Sequence, residues 1–433
     1  MPNLITRRQL LHQLGLLSAG LLIGCRNTQR ASQAFTLSAA DEALLEELER
    51  ASFRFFDECA HPETGLVKDR SLADRNDERE VASIAATGFG LTALCIADQR
   101  GWLPRPQARE RVLRTLRFLR DGLPNEHGWF FHFVNWRTGE RVWQCELSSM
   151  DTGLLLAGVL TCRAYFADAE IAQLATAIFD RVNWRWMAHG GPLLRMGWRP
   201  ESGFLEANWD GYCEHLLLYL LGLGASQNAL SPDSWRAWSR PEIEYEGSRY
   251  TSVAAPLFVH QYSHAWFDFR NRRDEFLDYF ENSVTATRVH RQFCLDLRKE
   301  FPHFAEDLWG ITSSDSKGGY VAWGGPPRQG SLDGTLVPCA AAGSLPFAPA
   351  ECLRCVRTLR ERFGDRAWTR YGFRDAFNPA SGWFAPDVIG IDVGITLLMA
   401  ENLRSGFVWR TFMTNPEAQR GMTLAGFRAP RRK

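Results

Sequence analysis

Three acidic residues each stand at the head of an apolar run. Glu214 precedes Leu216 to Gly224, Asp151 precedes Leu154 to Leu160, and Asp392 precedes Val393 to Ala400. A helix apolar on every side is buried in a large protein or a membrane, and these runs are too short to span a bilayer. Burial raises a carboxyl pKa towards the range where the group donates a proton at neutral pH, so such positions suit general acid and base work. A plainer reading stays open at each. A first-turn carboxylate stabilises its own helix by roughly 0.3–1 kcal/mol, and Ser148-Ser-Met-Asp151 has the spacing of a capping box. Asp392, after Ile389-Gly-Ile391, is similar, whereas Asp387 lies in the preceding loop and is freer to face a ligand.

Other candidates sit in loops. Asp69-Arg70 can grip hydroxyl groups or pair with each other. The sequence holds 16 tryptophans, many of them in glycine-rich loops, and flat aromatic faces suit stacking on sugar rings. His132, Trp136, Trp209, Tyr262, Trp323 and Trp383 are the binding candidates of this kind; each is equally a packing residue. His260 and His264 have the spacing of a zinc-protease pair, but Gln261 stands where that motif needs glutamate and no third ligand is evident. They read instead as a polar pair lining a pocket, with His264 a binding candidate. Cys352-Leu-Arg-Cys355 lacks a second ligand pair, so neither a metal nor another cofactor is expected. Nucleophile-elbow, P-loop and dinucleotide fingerprints do not occur.

The elements that must carry these residues alternate. Amphipathic segments cover Asp41–Cys59, Pro104–Asp121, Asp168–Val182, a short piece near Trp235, Asp274–Lys299 and Ala350–Phe363. Apolar segments follow them in turn at Val81–Ala97, Ser149–Tyr165, Tyr212–Gly224, Ala255–Phe269, Thr335–Leu345 and Ile391–Leu403. The expected fold is all-α, an (α/α)6 toroid whose outer helices surround six inner ones. If the inner helices run the same way, Asp151, Glu214 and Asp392 converge at one mouth. The loops entering the apolar segments are long and aromatic, which places a site on that face. Short hairpins are expected near 128–142 and 318–327. With 50 basic and 50 acidic residues in 433, there is no net charge to attract nucleic acid.

Arg7-Arg8 precedes an apolar run from Leu10 to Ile23, and Leu22-Ile-Gly-Cys25 closes it. This resembles a twin-arginine signal ending in a bacterial lipobox. The expected organisation is a signal at 1–25, a linker at 26–40 and one domain at 41–433. Lipid on Cys25 then tethers a monomer to a membrane, as an exported lipoprotein of the periplasm or outer membrane.

Longer stretches resemble a known family. They include Pro62-Glu-Thr-Gly-Leu66 with Asp69-Arg-Ser71, Ser148-Ser-Met-Asp-Thr152, Leu218-Tyr-Leu-Leu-Gly-Leu-Gly224 and Pro256-Leu-Phe-Val-His-Gln-Tyr-Ser-His264. Ala340-Ala-Ala-Gly-Ser-Leu-Pro-Phe-Ala-Pro349, Arg370-Tyr-Gly-Phe-Arg-Asp-Ala-Phe-Asn-Pro379 and Ile389-Gly-Ile-Asp392 add to them. Together they resemble the bacterial "putative glucoamylase" family, which includes endo-β-1,2-glucanases and a domain of cyclic β-1,2-glucan synthases. Val393, Ile395 and His215 depart from residues common in that family. The resemblance implies the six-fold toroid, inverting hydrolysis of a β-glucan, no metal, and Glu214 as general acid. Asp392 or Asp151 is then the base. The alternatives are a glycan-binding envelope lipoprotein without turnover, or the same scaffold acting on another glycan.

Overall fold

The computed structural model describes residues 35–253 and 256–429, so Arg7-Arg8 and the lipidation candidate Cys25 lie outside the described residues. The described helices run in chain order as α1 (Ala39–Glu58), α2 (Ile84–Gln99), α3 (Arg105–Asp121), α4 (Ser149–Phe166) and α5 (Ala169–Asp180). Next come α6 (Trp184–Met187), α7 (Leu216–Gly224), α8 (Asp233–Ala237), α9 (Tyr262–Trp266) and α10 (Tyr279–Asp296). The last are α11 (Pro338–Ala342), α12 (Pro349–Ala367), α13 (Gly390–Arg404), α14 (Phe407–Phe412) and α15 (Pro416–Leu424).

The apolar helices lie innermost. α2 is buried from Ile84 to Ala97 and α7 along its whole length. α2 packs on α4, α4 on α7, α7 on α9, α9 on α13, and α13 back on α2, which closes a ring. α11 rests on α13 and is tied towards α9 by Gln261, whose Nε2 donates to the Ala340 carbonyl at 2.9 Å and to Ser344 Oγ at 2.8 Å. The amphipathic α1, α3, α5 and α12 pack outside, each with one buried face. α14 touches α2, α4, α9 and α13 near their C-terminal ends: Trp409 Nε1 donates to the His264 carbonyl at 2.6 Å. It plugs one end of the ring and leaves the end with the helix N-termini for a site.

Backbone meets backbone where α2 crosses α4. A Cβ on Gly158 would stand 2.1 Å from the Gly88 carbonyl oxygen, so only glycine permits this approach. The crossing brings the first turns of both helices to the same mouth.

Three features differ from the sequence expectation. The inner helices are unequal: α9 and α11 have five residues each and α7 nine. In the first case the chain forms a 3-10 turn, Leu257–His260, and changes path at Gln261. In the second, Leu336 exchanges backbone hydrogen bonds with Phe377, which holds the segment extended until Pro338. The class is also not purely helical, because seventeen short strands occur among the described residues, none longer than four. Hairpins do form near the expected places, at Asn125–Glu126 with Trp129–Phe130 and at Ser314–Ser316 with Gly319–Val321. Finally, α1 starts at Ala39 inside the stretch read as linker, where Ser38 and Asp41 form a full capping box.

The strands have a positional role. Val81–Ser83 runs into α2, Leu147–Ser148 into α4, and Asp387–Ile389 into α13. Each pairs with a loop: Ser83 opposite Phe133, Ser148 opposite Gly197, and Ile389 opposite Arg70. Register therefore sets which first-turn side chains face the mouth.

Candidate active site

A cavity of about 440 Å³ opens at this mouth. Asp69, Arg70, Ser83, His132, Phe133, Met150, Asp151 and Leu154 line one part of it, and Glu214, Phe258, Tyr262, Tyr320, Ile389 and Ile391 the rest. It thus gathers residues from both ends of the sequence around three carboxyl groups, those of Asp69, Asp151 and Glu214.

Glu214 is not in the first turn of its helix. It lies in a tight turn one residue before His215, the N-cap of α7. Its backbone is held from outside by Ser263 of α9: the Ser263 hydroxyl donates to the Glu214 carbonyl and accepts from Leu217 N–H at 2.8 Å. The carboxyl opens partly onto the cavity but is otherwise enclosed by protein. Burial, and next the negative charge of Asp151, push it up to about 8, against a weak hydrogen bond from Cys213. Glu214 is accordingly protonated at neutral pH.

Asp151 completes only half of a capping box. Ser148 Oγ accepts from Asp151 N–H at 3.2 Å, but the Asp151 carboxylate turns to the Ser148 hydroxyl and towards His132 Nε2, 3.4 Å away. The other His132 nitrogen, Nδ1, is 3.0 Å from Glu146 Oε1. Burial alone would lower the His132 imidazole, but Asp151 and Glu146 outweigh it and hold it at about 9. The hydrogen bond from His132 in turn draws Glu146 down to about 2, against its burial. An imidazolium therefore stands between two carboxylates beside the neutral Glu214.

Asp69 and Arg70 both line the cavity and also pair with each other, Arg70 Nε donating to Asp69 Oδ2 at 2.7 Å. Arg70 Nη1 reaches Asp315 at 2.9 Å, an acid 245 positions away that no local pattern marks. Asp392 turns away from the cavity. It lines a space of about 10 Å³ with Asp375, Cys339, Ser52 and Thr396, room for one water. Burial pushes Asp392 up to about 6, while Asp375 and Cys339 bond to its charged form. Asp375, raised well above the usual range by burial and by Asp392, accepts from Asp315 N–H at 2.6 Å. Tyr262 lines the cavity near Asp392, its phenol raised by burial and next by the charge of Asp392.

Several sequence candidates lie outside the lining, bonded to or packed against other parts of the protein. Trp209 Nε1 donates to Ser149 Oγ and Trp323 Nε1 to Ser314 Oγ, each at 2.9 Å. The Trp136 ring packs between His61 and Lys68, and Trp383 is half-buried in a hairpin with Phe377–Asn378. Asp387 is held by Arg79, whose Nη1 lies 3.0 Å away. His264 bonds Ser283 Oγ at 3.1 Å among Phe269, Phe280 and Phe347. His260 faces Tyr212 OH instead, so the break at Gln261 separates the pair. Cys352 and Cys355 are buried thiols. Conversely, Glu146, Phe133, Phe258, Tyr320 and Asp315 were not legible; of these only Glu146 carried a signal, an acid five residues before Asp151.

Residues 206–416 match the family described as "Putative glucoamylase". The crystal structure of a protein given that same description, from Bacteroides uniformis, is 30% identical with a TM-score of 0.83, covering 92% of this chain and 99% of that one. An endo-β-1,2-glucanase from Chitinophaga pinensis, solved with sophorotriose and glucose, is 27% identical with a TM-score of 0.85, covering 91% and 100%. An exo-β-1,2-glucooligosaccharide sophorohydrolase from Parabacteroides distasonis is 27% identical over 435 residues, 92% of this chain. The chain spans 59% of the length of that relative. By sequence, by fold and over nearly its whole length, the chain belongs to the "putative glucoamylase" family.

Proposed function

We propose that this protein is a glycoside hydrolase that cleaves β-1,2-linked glucan on an (α/α)6 scaffold. The observation that carries the reading is a carboxyl held protonated, Glu214, facing a 440 Å³ cavity together with a second carboxyl, Asp151. Glu214 donates its proton to the glycosidic oxygen as the C1–O bond breaks. A water attacks C1 from the other face and passes its proton to a carboxylate, which gives inversion. Two carboxylates compete for that role, each with one observation in its favour. Asp151 shares the cavity with Glu214, whereas burial pushes Asp392 up to about 6, although it lies outside the cavity lining.

The β-1,2 linkage is supported by the named activities of both the Chitinophaga and the Parabacteroides relatives. Internal attack is supported by the endo-acting enzyme, which is matched over its entire chain. The test is reducing-end release from linear β-1,2-glucan, with starch and β-1,3-glucan in parallel and early product sizes recorded. Sophorose as the sole early product would replace internal with terminal attack. Measurable binding without product from any glucan would leave a glycan-binding protein instead. From Arg7-Arg8 and Leu22-Ile-Gly-Cys25 we also propose export and lipid attachment at Cys25; a Cys25→Ala protein still held in the membrane fraction would refute the attachment.

A further inference from the structure

Trp143 is 68% exposed, more than any other large hydrophobic residue described. Its ring meets Phe133 edge-on with centroids 5.2 Å apart, and Phe133 lines the cavity and stacks on His132 at 3.9 Å. A row of rings therefore leads from His132 inside the cavity, through Phe133 at its edge, to Trp143 outside it.

The backbone that displays this indole is neither relaxed nor loose. Trp143 and Gln144 have φ of 55° and 49°, a region that side chains other than those of glycine, asparagine and aspartate seldom enter. Such conformations persist where surrounding contacts over-determine them, and they cluster at ligand sites. Here Arg141 supplies the contacts. Its Nη2 donates to the Gln144 carbonyl at 2.6 Å, its Nε donates to the Cys145 carbonyl, and its Nη1 pairs with Glu201 at 2.6 Å. Cys145 Sγ is 3.3 Å from both the N and the O of Phe133, which fastens the loop to the cavity edge.

Water contact with so much of an indole is unfavourable, and nothing in the loop relieves it. A partner protein would call for a contiguous apolar patch of several hundred Å². One flat ring in line with a cavity instead matches the apolar face of one sugar ring. We propose that Trp143 forms an outer glucosyl subsite, on which a glucan chain extending from the cavity stacks one of its rings. This rests on the glycosidase reading above and adds to it a dependence on chain length. Substrates long enough to reach Trp143 gain affinity from it; the shortest ones do not.

The test compares wild type, Trp143→Ala, Trp143→Leu and Trp143→Phe on linear β-1,2-glucan and on the shortest oligosaccharide that wild type cleaves. Ala and Leu should lose about tenfold in kcat/KM on the polymer, through KM, with the short substrate nearly unaffected. Phe should retain most of the wild-type value. Leu keeps apolar volume against Phe133 but has no flat face, so a loss shared by Ala and Leu and restored by Phe isolates stacking from packing. Equal effects on long and short substrates, or no effect on either, would overturn the subsite. If wild type cleaves no β-1,2-glucan, the glycosidase reading fails by itself. The subsite is then judged by calorimetric binding of the same glucan to wild type and Trp143→Ala, where equal affinity, or no binding by either, overturns it.

Discussion

Ser263, in the five-residue helix α9, bonds both the carbonyl of Glu214 and the N–H of Leu217, and so fixes the turn that carries the acid. Ser263→Ala leaves two buried backbone groups without that partner, which costs about 1–3 kcal/mol. The acid should also lose its aim, with turnover falling up to about 100-fold for a displacement near 1 Å. Thermal melting and kcat measured on the same preparation check this. A variant that melts earlier but turns over normally would make Ser263 a packing residue.

Glu214→Gln keeps the size of the side chain but has no proton to give, and turnover should drop by roughly 10²–10⁴-fold. A fluoride donor, whose leaving group needs no protonation, should retain more activity than glucan does. In wild type, activity should decline as pH rises through about 8, where Glu214 loses its proton. Stability shares this direction. The folded protein holds that proton up to about 8 and the unfolded chain only to about 4.5, so the contribution falls as pH rises between the two.

Asp151→Asn separates two roles. Its charge is, after burial, what holds the Glu214 carboxyl up, so the alkaline limb of the rate profile should move below 8 whichever residue activates water. If Asp151 is the base, kcat also collapses; if Asp392 is, Asp392→Asn collapses kcat instead and leaves the limb in place.

Acid should unfold the protein through its histidines. Burial pushes His215, His260, His264 and His290 down to about 3, while the unfolded chain takes up their protons near 6.5. Stability is thus lost as pH falls from 6.5 towards 3, by about 1.4 kcal/mol per pH unit for each histidine at most. Urea midpoints between pH 7 and 5 measure it. His264→Phe, which cannot take up a proton, should flatten the slope; an unchanged slope would exclude His264 as a contributor.

Gly158→Ala puts a methyl group 2.1 Å from the Gly88 carbonyl oxygen, and backbone cannot yield as a side chain can. A loss of about 3 kcal/mol or more is expected, together with activity, because the same crossing sets the first turn of α4. A melting temperature within a degree of wild type would show that the two helices can separate freely.

Apolar runs with no polar face are legible in a sequence because periodicity is local, and they placed α2, α4, α7 and α13 among the inner helices. Acids at the heads of those runs were legible too, as was the mouth where Asp151 and Glu214 meet. Local pattern could not determine which carboxyl faces the cavity. Asp151 and Asp392 stand at equivalent places on similar helices, yet one lines the cavity beside His132 and the other lies outside that lining, against Asp375. That outcome depends on strand register and on partners hundreds of residues away, such as Asp315 on Arg70. The tryptophans divide in the same way. Composition marked their number, but not which indoles the fold buries: Ser149, 60 residues away, takes up the Trp209 N–H, and Ser314, across a hairpin, that of Trp323. Trp143 is left outside by a loop that Arg141 holds in an unfavourable backbone region. The sequence by itself determined the helices and the acids at their heads, because both are properties of neighbours in the chain. Only the tertiary structure decided their protonation and which of them meets a ligand, because desolvation and charge act between residues that the chain keeps far apart.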